Sequence, residues 1–219
     1  MTKKLIIFDL DGTLLDTIMD LAAAVDYTLR VMDMPLHTLM QYQGMVGGGI
    51  SKLLERAMPE NMRSKENILE ARSIFMPYYY ENIYVHTKPY EGISELLQNL
   101  RKEGFLLAVA SNKFQSGVDR LIQHFFPLFD FVGVLGSESA FKLKPDPHMI
   151  IHLAQLAGVS LQNVCMVGDS MVDYRTAQAA GVRSILVSWG FVGRKALEES
   201  TTSKIVDSPE EILQSCLTW

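Results

Sequence analysis

Leu5-Ile6-Ile7-Phe8-Asp9-Leu10-Asp11-Gly12-Thr13-Leu14 is the stretch that decides how this chain reads. Four consecutive apolar residues, two of them β-branched, have the length and composition of a strand buried on both faces. The run ends at a carboxylate, and two residues later Asp-Gly supplies a turn-forming pair. If the extended geometry continues past Phe8, Asp9 and Asp11 leave the strand end on the same side. Asp11 by itself could be no more than a turn former. As a pair, the two carboxylates repel unless a cation or a proton offsets them.

Outward from this stretch, residues 105–110, 131–135, 164–167 and 185–187 are further short apolar runs. Helical spacing fills 92–103, 147–157 and 173–180, each stopping at a glycine: Gly104, Gly158 and Gly181. Buried strands alternating with amphipathic helices predict an α/β fold, a doubly wound parallel sheet covered on both faces. In such a sheet ligands sit beyond the carboxyl ends of the strands. Two further strands finish in polar residues, Ser111-Asn112-Lys113 and Gly168-Asp169-Ser170. Asp169 would therefore join Asp9 and Asp11, and an all-oxygen cluster selects a hard ion, with Mg²⁺ the natural choice. Lys144, just before Pro145 and Pro147, offers a positive charge for an anionic substrate. Ser111, Thr13 and the N–H groups around Gly12 could donate to phosphate oxygens.

The alternation breaks once. Residues 17–32, 50–58 and 64–82 are helix-like, with no convincing strand among them, before the chain returns near Lys88-Pro89. A connection of this length is predicted to be a helical cap over residues 16–84, set into a catalytic core made of 1–15 and 85–219. The linkers 14–17 and 82–89 are expected to hinge. Within the cap, Gly47-Gly48-Gly49 precedes Ile50-Ser51-Lys52, and reads either as a flexible turn before a helix whose Lys52 faces solvent or as a helix start suited to a second anionic group on a substrate. Tyr78-Tyr79-Tyr80 is read as packing on a helix. His148 and His152 stand four apart but lack the glutamate and third ligand of a zinc site, and are read as ordinary helix residues.

The chain has 219 residues, 48% hydrophobic and 21% charged, which is globular composition with a core of ample size. Its net charge of −5 argues against a nucleic-acid backbone or an anionic membrane as partner. The 2 cysteines, Cys165 and Cys216, cannot build a disulfide framework. No run of about 20 apolar residues is present to span a bilayer, and the four apolar residues after Lys4 are too few for a signal segment. A cytoplasmic protein, monomer or homodimer, acting on a small molecule is expected.

These motifs together resemble the haloacid dehalogenase superfamily of phosphohydrolases, in its phosphoglycolate-phosphatase-type branch with a helical cap after the first strand. Asp9-Leu10-Asp11-Gly12-Thr13-Leu14 is similar to that family's first motif and Ser111-Asn112 to its second. Lys144-Pro145 matches the third, and Gly168-Asp169-Ser170 with Asp173 the fourth. The resemblance implies that Asp9 is the nucleophile, forming an aspartyl-phosphate, and that Asp11 protonates the leaving group and later activates water. It implies Mg²⁺ on the side chains of Asp9 and Asp169 and the carbonyl of Asp11. Ser111, Asn112 and Lys144 would bind the phosphoryl group, Lys144 would also restrain Asp9, and Asp173 would orient Lys144 or a water. Met45-Val46-Gly47-Gly48 resembles the substrate-facing loop of the cap, which makes Gly48 and Lys52 candidates for contact with the leaving group. The implied substrate is a small phosphomonoester, 2-phosphoglycolate first. Sugar phosphates, nucleotides, pyrophosphate and β-phosphoglucomutase-type transfer are the alternatives. The dehalogenase branch lacks an aspartate at the position of Asp11, and a non-catalytic relative would show lesions in this set, which is intact.

Overall fold

The computed structural model describes residues 3–137 and 141–219. After β1 (Leu5–Phe8) the chain makes a two-residue strand, β2 (Leu15–Asp16), and enters four helices. These are α1 (Ile18–Val31), α2 (Leu39–Met45), α3 (Ile50–Ala57) and α4 (Lys65–Asn82), after which β3 (Lys88–Pro89) leads back. The remainder alternates: α5 (Ile93–Lys102), β4 (Leu106–Phe114), α6 (Gln115–Phe125), β5 (Val134–Ser137), α7 (His148–Ala157) and β6 (Val164–Gly168). Then follow α8 (Met171–Ala180), β7 (Arg183–Val187), α9 (Arg194–Ser200), β8 (Lys204–Val206) and α10 (Pro209–Leu217).

Six strands form one parallel sheet in the order β5-β4-β1-β6-β7-β8. This is the α/β doubly wound sheet that the alternation predicts. The period of two sends neighbouring residues to opposite faces. Ile6 and Phe8 of β1, Leu107 and Val109 of β4, and Cys165 and Val167 of β6 join the core beneath α5, α6 and α10. Leu5, Ile7, Ala108, Ala110, Val164 and Met166 join the opposite core beneath α7 and α8. The first of these cores runs on without a break into α1, α3 and α4. β1 lies at the centre, between β4 and β6, and the chain winds outward from it in both directions. The carboxyl ends of these three strands therefore meet at the switch point where such sheets bind ligands.

The inserted helices leave and rejoin the sheet side by side. Leu15 pairs with Pro89 and Asp16 with Lys88, antiparallel. Among the described residues no helix is long and apolar enough to cross a membrane.

Several elements differ from expectation. β4 runs on to Phe114, with a register shift between Ala110 and Phe114 that marks a bulge at the site. β5 begins at Val134, with Val132 and Gly133 already bonded to Leu107 and Val109 of β4, while Phe131 packs with Phe126 and Phe129 in an aromatic cluster. α2, α6, α9, β8 and α10 were not foreseen. Yet α2 opens with a capping box, Thr38 with Gln41, and α10 with Ser208 followed by Pro209 at its first position.

Candidate active site

Asp9 lies one residue beyond β1, where its N–H donates to the Val167 carbonyl at 2.9 Å and extends the ladder. One carboxylate oxygen, Oδ1, accepts the Leu10 N–H at 2.7 Å and meets Lys144 Nζ at 2.9 Å. Its other oxygen takes no hydrogen bond among the described residues. Lys144 is buried, and its Nζ also donates to Asp173 Oδ1 at 2.7 Å. Asp173 Oδ2 accepts from the Ser170 N–H and hydroxyl, closing a capping box at the start of α8. One Asp173 side chain therefore both holds Lys144 and caps the first turn of α8.

Asp169 stands one residue past β6 and receives the Phe191 N–H on Oδ2 at 2.7 Å. Two glycines make room for it. A Cβ at Gly12, whose φ is +82°, would lie 2.4 Å from Asp169 Oδ2, and one at Gly190 would lie 2.2 Å from Asp169 Cβ. Neither position accepts a side chain without moving that carboxylate.

Asp11 occupies a separate environment. Its Oδ1 accepts from Thr17 Oγ1 at 2.7 Å and from Lys113 Nζ at 3.0 Å, and the same ammonium reaches Oδ2 at 3.3 Å. Lys113 Nζ donates in addition to the Tyr79 hydroxyl of α4 at 2.6 Å. Burial, reinforced by the charge of Asp11, holds the Tyr79 hydroxyl well above its usual range, so it stays protonated.

The electrostatics leave an excess of negative charge. Burial pushes the Asp9 carboxyl up to about 7, with Lys144 opposing and Asp173 and Asp11 reinforcing. Burial, with Asp173 and Asp9, holds Asp169 well above the carboxylate range. Burial alone would lower Lys144, but Asp173 and Asp9 outweigh it and keep the ammonium charged. Asp9, Asp169 and Asp173 bring oxygens within 4.8 Å of one another, and one lysine cannot offset three carboxylates. Because Asp173 already uses both oxygens, Asp9 and Asp169 are the ones left to face a cation. The carboxylate of Asp11 is likewise engaged, by Thr17 and Lys113. This donor set is all oxygen and suits a hard divalent ion.

Asp9, Asp11, Ser111, Asn112 and Asp169 line one cavity of about 650 Å³, part of it open to solvent. Its opposite wall is Leu21, Gln43, Val46, Ile50, Leu53 and Tyr79. Ser111 Oγ accepts the Lys113 N–H at 3.2 Å, so the hydroxyl proton remains available to the cavity. Four expected contacts are not made. The Thr13 hydroxyl is fully enclosed without a partner and does not reach the cavity. The Asn112 amide is consumed as a clamp: Oδ1 accepts the Lys144 N–H at 2.8 Å, and Nδ2 donates to the carbonyls of Lys144 at 3.0 Å and Gly47 at 2.9 Å. Lys52 pairs with Glu55 at 2.6 Å on the outer side, because α3 turns Ile50, Leu53, Leu54 and Ala57 inward. Gly48 backs onto the Lys52 side chain, while Gly47 and Gly49 face the cavity. His148 bonds Asp146 and His152 packs on Phe141, away from these residues.

Thr17 and Tyr79 are not legible as site residues in the sequence, and Lys113, read there among the polar residues ending its strand, has no role assigned. Lys113 directly follows the second motif, and that adjacency was its one signal; Tyr79 had none beyond helical packing.

The haloacid dehalogenase-like hydrolase family model matches residues 6–187. A phosphoglycolate phosphatase of Mesorhizobium japonicum is 32% identical over 90% of this chain and 88% of its own length. One of Pseudomonas syringae pv. tomato is 33% identical over 98% and 80%. A crystal structure from Lactobacillus delbrueckii subsp. bulgaricus, described provisionally as a phosphoglycolate phosphatase, superposes with a TM-score of 0.92 at 29% identity, covering 99% of each chain. With its strand-end carboxylates at the switch point of the sheet, this chain is a hydrolase and belongs to the haloacid dehalogenase-like family.

Proposed function

We propose that the protein is a Mg²⁺-dependent phosphomonoesterase that works through an aspartyl-phosphate, with residues 16–84 acting as its cap. One observation carries this reading. Asp9 has one oxygen pinned by Lys144 and the Leu10 N–H and the other free, while Asp11 is held apart by Thr17 and Lys113. Two carboxylates in distinct environments suit a nucleophile and an acid/base group.

One oxygen of the Asp9 carboxylate attacks phosphorus as the ester P–O bond breaks, and Asp11, entering the step protonated, delivers that proton to the departing alkoxide. Asp11, now a carboxylate, takes a proton from water as that water attacks the aspartyl-phosphate. The P–O bond to Asp9 breaks, and phosphate and free Asp9 are regenerated. Lys144 and the Ser111 hydroxyl would hold the phosphoryl oxygens. Mg²⁺, carried by Asp9, Asp169 and the carbonyl of Asp11, would draw off charge that builds on the phosphoryl group. Free, buried Cys165 and Cys216 fit a reducing compartment such as the cytoplasm.

The names of the relatives support 2-phosphoglycolate as first substrate. The cavity wall formed by the cap favours a second reading, because its polar groups are Gln43 and the Tyr79 hydroxyl, with no cation among the described residues. An ester with an uncharged leaving group, as in a sugar phosphate, would need no cation from that wall. A phosphate-release screen over phosphorylated metabolites with Mg²⁺ tests both. Release is expected from wild type, lost in Asp9→Asn and in EDTA, and highest in kcat/KM for phosphoglycolate. If neutral sugar phosphates rank above it, the substrate falls and the reaction class survives. Phosphate moved between positions of a sugar without release would indicate a mutase instead.

A further inference from the structure

Lys113 is buried at the end of β4, and its ammonium does three things at once. It holds both oxygens of Asp11, it donates to the Tyr79 hydroxyl at 2.6 Å, and it lies 4.7 Å from the centre of the Tyr79 ring. Tyr79 belongs to α4 of the insertion, is itself fully buried, and leans edge-on against Phe114, the last residue of β4. The core residue that fixes Asp11 thus takes its own anchor from the cap. The preceding residue behaves in parallel, since Asn112 bonds the cap carbonyl of Gly47 and the backbone of Lys144.

We infer that Lys113 is a positioning residue for the acid/base step. Seated between Tyr79 and Asp11, it fixes the orientation of the Asp11 carboxylate only while α4 is docked. This rests on the role proposed above for Asp11. A bare structural ion pair would need no contact with the cap, whereas the third N–H of this buried ammonium finds its acceptor on α4. The consequence is specific. Misplacement of Asp11 costs most where a proton must reach the leaving group and least where it need not. A displacement of about 1 Å at a reacting group costs on the order of 100-fold.

The test compares two small substrates in the full-length protein with Mg²⁺: 2-phosphoglycolate, whose alkoxide needs a proton, and acetyl phosphate, whose acetate leaves without one. Lys113→Met is expected to lower kcat/KM for phosphoglycolate by at least about 10-fold and that for acetyl phosphate by less than about 3-fold. The phosphoenzyme should accumulate from acetyl phosphate, because Asp11 must still activate water. Lys113→Arg should restore part of the loss. Tyr79→Phe, which keeps the packing and touches no catalytic group, should show the same ordering at smaller amplitude. Equal losses on both substrates would overturn the inference, by placing Lys113 on the phosphoryl group or in the fold. So would a KM increase confined to phosphoglycolate with kcat unchanged, which would make Lys113 the cation for the substrate carboxylate. Wild-type kcat/KM on both substrates in Tyr79→Phe would overturn the link to the cap. Failure of the underlying reading is separate: wild type would then show no turnover that depends on Asp9.

Discussion

Asp169 illustrates how much one side chain depends on what its neighbours lack. Its carboxylate sits where a Cβ at Gly12 or at Gly190 would collide with it, and a single N–H, that of Phe191, fixes its direction. Gly190→Ala is therefore expected to push Asp169 aside and weaken Mg²⁺ binding. A magnesium titration followed by thermal melting checks this, with a right-shifted curve expected. Asp169→Asn keeps an acceptor for the Phe191 N–H while deleting a buried charge that Lys144, shared with Asp9 and Asp173, offsets only in part. It should abolish turnover yet raise the melting temperature of the metal-free protein at pH 8, where the wild-type carboxylate cluster is most strained. A lower melting temperature would contradict the picture of an overcharged cluster.

Among elements, the paired crossing of β2 and β3 is where the inserted helices leave the sheet and return to it. Asp20, in the first turn of α1, is buried and accepts from the backbone N–H groups of His86 and Thr87 and from the Thr87 hydroxyl. One carboxylate thus ties the exit of the insertion to its return. Asp20→Ala strands those donors, and hydrogen bonds to a charged acceptor contribute about 1.5–3 kcal/mol. At roughly 2–4 °C per kcal/mol for a chain of this size, a drop in melting temperature of about 3–12 °C is expected by calorimetry. On the outer side, Arg120 of α6 donates to the Tyr80 carbonyl and the Tyr84 hydroxyl and lies over both rings. The tyrosine triplet thus divides its work: Tyr78 stacks on Tyr27, Tyr79 meets Lys113, and Tyr80 meets Arg120.

For the molecule as a whole, the carboxylate cluster makes stability depend on pH and on metal together. Asp9 has its folded-state pKa raised from 3.8 to about 7, so the folded protein holds a proton that the unfolded chain has already released. That stabilisation is complete below about pH 4 and is lost as pH rises through about 7. Metal-free protein is therefore expected to melt progressively lower from pH 5 to pH 8, with Asp169, also raised, acting in the same direction. Mg²⁺, binding the ionised cluster, should reverse the trend. At 100 times its dissociation constant it adds about 2.7 kcal/mol, or about 5–11 °C. A melting temperature that stayed flat with pH and did not respond to Mg²⁺ would contradict the proposed cation site.

Local chemistry was enough to read the sheet and most of the carboxylate centre, because both depend on residues close in sequence. Leu5–Phe8 is a buried strand by composition, and Asp9, Asp11 and Asp169 follow strands at once, so parallel topology alone brings them to one end. Glycine and proline punctuation placed α5, α7 and α8 for the same reason. Short elements such as β8 and α9 carry too few residues for a period to show. Contacts across the fold were beyond any local pattern. Lys52 looked suited to a substrate anion, but the helical register of α3 turns it to Glu55, and Asn112 looked suited to phosphate, but its amide is spent on Lys144 and Gly47. Lys113 meets Tyr79 across 34 positions and Asp11 across 102. No spacing rule links such residues; only the packing of α4 against the end of β4 brings them together.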